Sequence, residues 1–156
     1  MKSFKSLQHS LFGVRPLVLL FGLFVAVSAY SFNPQKFYIS VSRMNPMGYP
    51  SKDVDYGYSL KLSNDSVHLY LPYMGRAFQL PYGGGDGLNF DEPIKGFKSR
   101  TLKKGGYRIS FTTRHEMSTY QFYIELYPEA NNAYISVVPS NCEAISYLGR
   151  LEDENK

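Results

Sequence analysis

The sequence predicts an all-β, single-domain protein: an antiparallel meander closed as an up-and-down β-barrel, with a two-sheet β-sandwich as the alternative. Three observations predict it. Apolar and polar residues alternate along several segments, no window beyond the first thirty residues sustains a 3.6-residue period, and turn-forming residues recur at short intervals. Hairpin connections of two to five residues favour antiparallel neighbours, because a parallel crossover needs a dozen or more. A meander of about eight to ten strands removes its edges best by closing on itself.

Residues 1–29 read as an export signal rather than fold. Lys2, Lys5 and Arg15 form a basic start, followed by the apolar run PLVLLFGLFVAV from Pro16 to Val27. Its length of about 12 suits a signal core, whereas a spanning helix needs roughly 20. Val27-Ser28-Ala29 supplies small residues for cleavage after Ala29. The expectation is export to the periplasm or beyond, with no membrane span after cleavage; an uncleaved N-terminal anchor is the alternative. No Cys lies near the cleavage site, so a lipoprotein is not predicted.

The β domain is expected over residues 30–151, with 152–156 as a tail. Phe37, Ile39 and Val41 open it. Tyr56, Tyr58, Leu60 and Leu62 then alternate with polar neighbours, and Val67 and Leu69 with His68. From Leu71 the string LPYMGRAFQL reads as a strand with two faces. Pro72 marks an edge, start or bulge there, and Gly75 a bulge or close backbone approach. Tyr107, Ile109 and Phe111, then Tyr120, Phe122, Ile124 and Leu126, carry the clearest alternation, and Ile145 and Tyr147 nearly end the domain. Ser63–Asp65, Lys103–Gly106, His115–Ser118, Glu129–Asn132 and Ser140–Asn141 supply the turns.

Composition narrows the partners. Removing residues 1–29 takes three of the 17 basic residues and none of the 13 acidic ones, leaving 14 against 13, a net charge of +1. A near-neutral domain has no broad footprint for nucleic acid. Lys95, Lys98, Arg100, Lys103 and Lys104 read as a solvated edge strand and turn. Cys142 is the only cysteine, so no internal disulfide forms. There are 14 tyrosines and no tryptophan; buried tyrosines need hydroxyl partners, which predicts polar tips within the core or wet-rimmed surfaces.

A family resemblance follows from motif order: Asp65-Ser66-Val67, then Leu71-Pro72-Tyr73-Met74-Gly75-Arg76-Ala77-Phe78, Gly87-Leu88-Asn89-Phe90, Lys103-Lys104-Gly105, Tyr120-Gln121-Phe122 and Ile145-Ser146-Tyr147-Leu148-Gly149. Across Phe37 to Arg150 this resembles the secreted Bacteroidota family called domain of unknown function 4251. The L-P-Y-x-G-R-A string is its most specific piece. The resemblance implies an exported single domain with a lipocalin-like barrel. It implies no activity and no catalytic residues.

Candidate chemistry is sparse. Arg76, flanked by Met74 and Phe78, is a structural anchor or a group for an anionic headgroup at a barrel mouth. With Arg76, the residues Tyr73, Phe78 and Tyr82 would line a ligand site. PYGGGDG, Pro81 to Gly87, lacks the Gly-Lys-Ser/Thr of a phosphate loop and precedes no helix, so it reads as a flexible connection. Asp86, Asn89, Asp91 and Glu92 match no calcium-loop spacing. His68 and His115 lack the neighbours of a zinc site, so neither metal nor cofactor is expected. No G-x-S-x-G elbow occurs, and no catalytic residue is assigned. Asp65-Ser66-Val67 fits a short O-glycosylation pattern with Ser66 as acceptor, although turn chemistry alone explains its neighbours. Tyr38, Tyr70, Tyr123, Tyr127 and Tyr134 fall in the polar phase, as cross-strand pairs or as an amphipathic contact patch.

The leading functional expectation is non-catalytic binding of a small apolar or amphipathic ligand in the barrel mouth. A protein-interaction or structural cell-envelope module is the alternative, and a hydrolase comes third.

Overall fold

A computed structural model describes residues 32–78 and 87–153. Within them the chain forms β1 (Lys36–Pro46), β2 (Lys52–Asp53), β3 (Ser59–Ser63), β4 (Ser66–Leu71), β5 (Leu88–Thr101), β6 (Tyr107–His115), β7 (Ser118–Tyr127), β8 (Asn132–Pro139) and β9 (Ile145–Glu152). The sheet order is β2-β1-β3-β4-β5-β6-β7-β8-β9, and β1 also pairs with β9. Every pairing is antiparallel. Eight strands therefore close a barrel, with β2 as an extra strand on the far half of β1. The meander expectation holds, and the sandwich alternative does not.

Alternation decides which side chains enter the barrel. In β7, Tyr120, Phe122, Ile124 and Leu126 are buried between more exposed Thr119, Gln121, Tyr123 and Glu125. Ile109 and Phe111 from β6 and Ile135 and Val137 from β8 join them, and Phe111 stacks on Phe122 with ring centres 4.8 Å apart. The apolar face of β7 is inward and its more polar face outward. No helix among the described residues is long and apolar enough to cross a membrane.

Three local expectations are corrected. β3 starts at Ser59 rather than Tyr56, because Tyr56 and Gly57 form an exposed turn with Gly57 at φ +106°. The basic stretch from Lys95 to Arg100 is solvated but is not an edge, since β5 pairs with both β4 and β6. A register shift between Lys95 and Lys98 changes the inward phase of this long strand, which hid it from simple alternation. Finally, β9 runs to Glu152, which faces Tyr38 across the barrel seam.

The two ends of the barrel are built differently. At one end Asn64–Asp65 joins β3 to β4, a short 3-10 turn (Lys103–Gly105) joins β5 to β6, and another (Pro128–Ala130) joins β7 to β8. The other end carries the β1–β3, β4–β5 and β8–β9 connections and the Glu116–Met117 turn.

Candidate functional site

The L-P-Y-x-G-R-A string lies at the loop end. It is not a strand there: β4 stops at Leu71, and residues 72–76 cross to the β8–β9 connection. Leu71 stays in the core, while Pro72 has no N–H to continue the ladder. The chain then becomes a strap. Tyr147, buried on β9, donates its hydroxyl hydrogen bond to the Pro72 carbonyl at 2.7 Å. Tyr73 donates to the Glu143 carbonyl at 2.8 Å. The Arg76 N–H donates to Glu143 Oε2 at 3.1 Å, and the Glu143 N–H returns a bond to the Arg76 carbonyl at 2.9 Å. Ala77 bridges Cys142, and the Phe78 N–H reaches the Asn141 carbonyl at 2.7 Å.

Two glycines at this end of the barrel sit in close quarters. A Cβ on Gly75 would lie 2.5 Å from the Tyr73 hydroxyl, so the phenol ring occupies the space a side chain would need. Gly87, where the chain re-enters the sheet, has φ +84°, and a Cβ there would collide with the Leu71 carbonyl.

Burial shapes the acid–base character of the cluster. It pushes the Tyr147 hydroxyl far above the ordinary phenol range, with Tyr73 adding to the effect. It does the same to Tyr73, helped by the neighbouring Cys142 and by Glu143. The half-buried Cys142 thiol is raised by burial, although a hydrogen bond with Tyr73 opposes the shift. All three groups are held neutral. A thiol kept protonated is a poor nucleophile, so the cluster suits packing and hydrogen bonding rather than attack.

Of the four expected ligand residues, the structure describes Tyr73, Arg76 and Phe78. Tyr73 packs against the core, with its hydroxyl engaged by Glu143. Arg76 is exposed, and no carboxylate among the described residues pairs with its guanidinium; its backbone does the anchoring. Phe78 is 68% exposed. Tyr82, with Pro81 to Asp86, lies outside the described residues. Tyr147 and Glu143 are the residues that sequence reasoning missed. The available signal was Tyr147 itself, an inward-phase tyrosine whose hydroxyl had to find a partner.

Beside the strap, His115 Nδ1 lies 2.8 Å from Glu92 Oε1, and the imidazole stacks on Phe90 at 4.6 Å. Phe90 in turn contacts Tyr120 at 5.0 Å. His115 is the last residue of β6 rather than part of a turn. No group of three or more His, Cys, Asp or Glu side chains suited to a metal occurs among the described residues.

A separate depression of about 310 Å³ lies on the outside of the barrel, lined by Lys61, Ser63, Ser66, His68 and Asp91. Ser66, the expected modification site, opens β4 here, half-buried, with its hydroxyl 3.4 Å from the Ser63 carbonyl.

The sequence profile described as Domain of unknown function (DUF4251) matches residues 30–151. A solved structure with a similar fold is the crystal structure of a DUF4251 family protein from Bacteroides eggerthii DSM 20697. It is 20% identical, with a TM-score of 0.57, over 75% of this chain and 78% of that one. No curated protein matches the sequence. The chain belongs to the DUF4251 family.

Proposed function

We propose that this family member is an exported, non-catalytic binding domain that meets its partners through the outside of the barrel and its strapped end, not through an internal cavity. The observation that carries this reading is the packing of the interior. Leu60, Leu62, Val67, Leu69, Ile109, Phe122, Ile124, Leu126 and Val137 expose no surface, so no water-sized void adjoins them. A ligand site needs at least about 300 Å³. Among the described residues, the inward-facing side chains pack on one another.

This favours the interaction-module reading over an apolar ligand held within the barrel. A rim-bound amphipathic ligand is the second reading, and it is supported by the exposure of Arg76 and Phe78 on one strap. There the guanidinium would meet an acidic head, and the phenyl ring an apolar tail. Tyr73 would support the strap from below rather than touch the ligand.

Export belongs to the same proposal, on the strength of the basic start, short apolar run and small-residue site in residues 1–29. Native mass spectrometry of the protein purified from its own cells tests all of it. The expected result is a chain beginning at Tyr30 that co-purifies with a stoichiometric protein or glycan partner. A full-length mass would refute cleavage; a lipid-like adduct lost on Arg76→Ala would favour the rim-bound second reading, and one unaffected by that change would refute the filled interior.

A further inference from the structure

We propose that the outer depression across β3, β4 and β5 binds an uncharged saccharide; the inference rests on the outward-facing reading above and gives it a ligand class. Strand register builds the site. Lys61 pairs with His68, and His68 with Asp91, so three side chains of different character stand in one row across three strands. The His68 Nδ1 is 3.6 Å from Asp91 Oδ2. Ser63 and Ser66 pair in the adjacent row, and the five residues line an open depression of about 310 Å³.

The charge pattern selects the ligand. Lys61 and Asp91 put one charge of each sign in the row, so it offers no net charge for a charged ligand to match. Neighbouring sugar hydroxyls both donate and accept. They match a row holding an ammonium donor, an imidazole, two hydroxyls and a carboxylate acceptor. The row on the other side supplies an apolar surface: Tyr70 follows His68 by two residues, so it shares the outward face. It stacks on Tyr58 at 5.1 Å and remains 43% exposed. Such a ring can cover the C–H face of a pyranose while its hydroxyl stays in water. All of these groups except Tyr58, which precedes β3, stand on paired strands rather than on a loop, so little ordering is needed on binding.

The test is an amide NMR titration of isotope-labelled residues 30–156 with cellobiose, maltose and N,N′-diacetylchitobiose, and with galacturonic acid and glucosamine as charged controls. At least one neutral disaccharide should give saturable shifts at Lys61, Ser66, His68 and Asp91, with a dissociation constant on the order of 1 mM. His68→Ala and Asp91→Asn should each weaken binding about tenfold or more, and Tyr70→Ala should do likewise, with thermal midpoints close to the parent's. Silence with every neutral disaccharide, or tighter binding of either charged control, would overturn the saccharide site. A silent titration alongside a protein partner in native mass spectrometry would remove this site and leave the outward-facing reading intact. Saturable shifts centred on Phe111 and Phe122 would overturn both.

Discussion

The two ends of the barrel solve the same problem by different means. At the turn end each connection takes a tight local turn, and backbone bonds from Asn64 to Gln35, Ile94 to Asp65 and Leu151 to Asn131 tie the turns to neighbouring strands. Asn64, Lys104 and Asn131 take left-handed conformations with φ of 52°, 61° and 51°. The Leu102 N–H bonds the Gly106 carbonyl, and the Asn131 N–H bonds the Pro128 carbonyl. At the loop end the bonds join segments distant in sequence: Tyr73 to Glu143, 70 residues apart, and Tyr147 to Pro72, 75 apart. The turn conformations themselves can form as each hairpin forms, with bonds to adjacent strands completing them. The strap requires the whole barrel, so it should be the first part lost when the barrel is weakened.

The largest way to break the comparison is alkaline pH. Burial holds the hydroxyls of Tyr147 and Tyr73 above the ordinary phenol value of about 10. The fold thus favours the neutral phenols. Their contribution is whole below about pH 10 and is lost as pH rises above it toward the folded-state values. The strap should release before the turn end, and global unfolding should follow. Absorbance at the phenolate band should show a late tyrosine fraction that titrates together with the loss of β-sheet circular dichroism. If every tyrosine titrates near 10 with the sheet intact, the strap is not held by neutral phenols.

Next in size is Gly87→Ala, which combines an unfavourable φ with a collision at the Leu71 carbonyl. It should cost about 2–4 kcal/mol in urea unfolding. Tyr147→Phe should follow at about 1–3 kcal/mol, because the Pro72 carbonyl loses its donor. Tyr147→Phe should also move the alkaline transition to higher pH, which a simple packing defect would not do. Amide exchange in either variant should rise at Phe78 and Glu143 before it rises at Asn64 and Asn131.

The same contrast explains what was legible in the sequence. The turn end was readable because its signals are local: Asn64-Asp65, Lys103–Gly105 and Glu129–Asn131 each name their own turn. The strands were readable wherever alternation ran unbroken, as in β7. The strap was not, since LPYMGRAFQL alternates well enough to pass for a strand. What takes it out of the sheet is a set of partners, Glu143 and Tyr147, that no local pattern specifies. Gly75 was expected to mark a bulge or a close backbone approach; the group that fills the space beside it is instead the Tyr73 ring. The long β5 was hidden by its bulge, which breaks the period inside one strand. The outer depression is a product of register, visible only once Lys61, His68 and Asp91 fall in line.

The smallest expected effect sharpens the comparison from the other side. Asn131 closes the β7–β8 turn at φ 51°, and its side chain is exposed. Asn131→Gly removes the steric cost of that conformation but adds freedom to the unfolded chain, so the two terms oppose. Stability should change by no more than about 0.5 kcal/mol. Asn131→Val places a β-branched residue where φ is positive and should cost about 1–2 kcal/mol. Both outcomes follow from a turn whose energetics are local, so neither variant should alter amide exchange at Phe78 or Glu143 across the barrel. If Asn131→Val loosened the strap as strongly as Tyr147→Phe does, the ends would be coupled through the barrel. The division between an end of tight local turns and a dependent one would then fail.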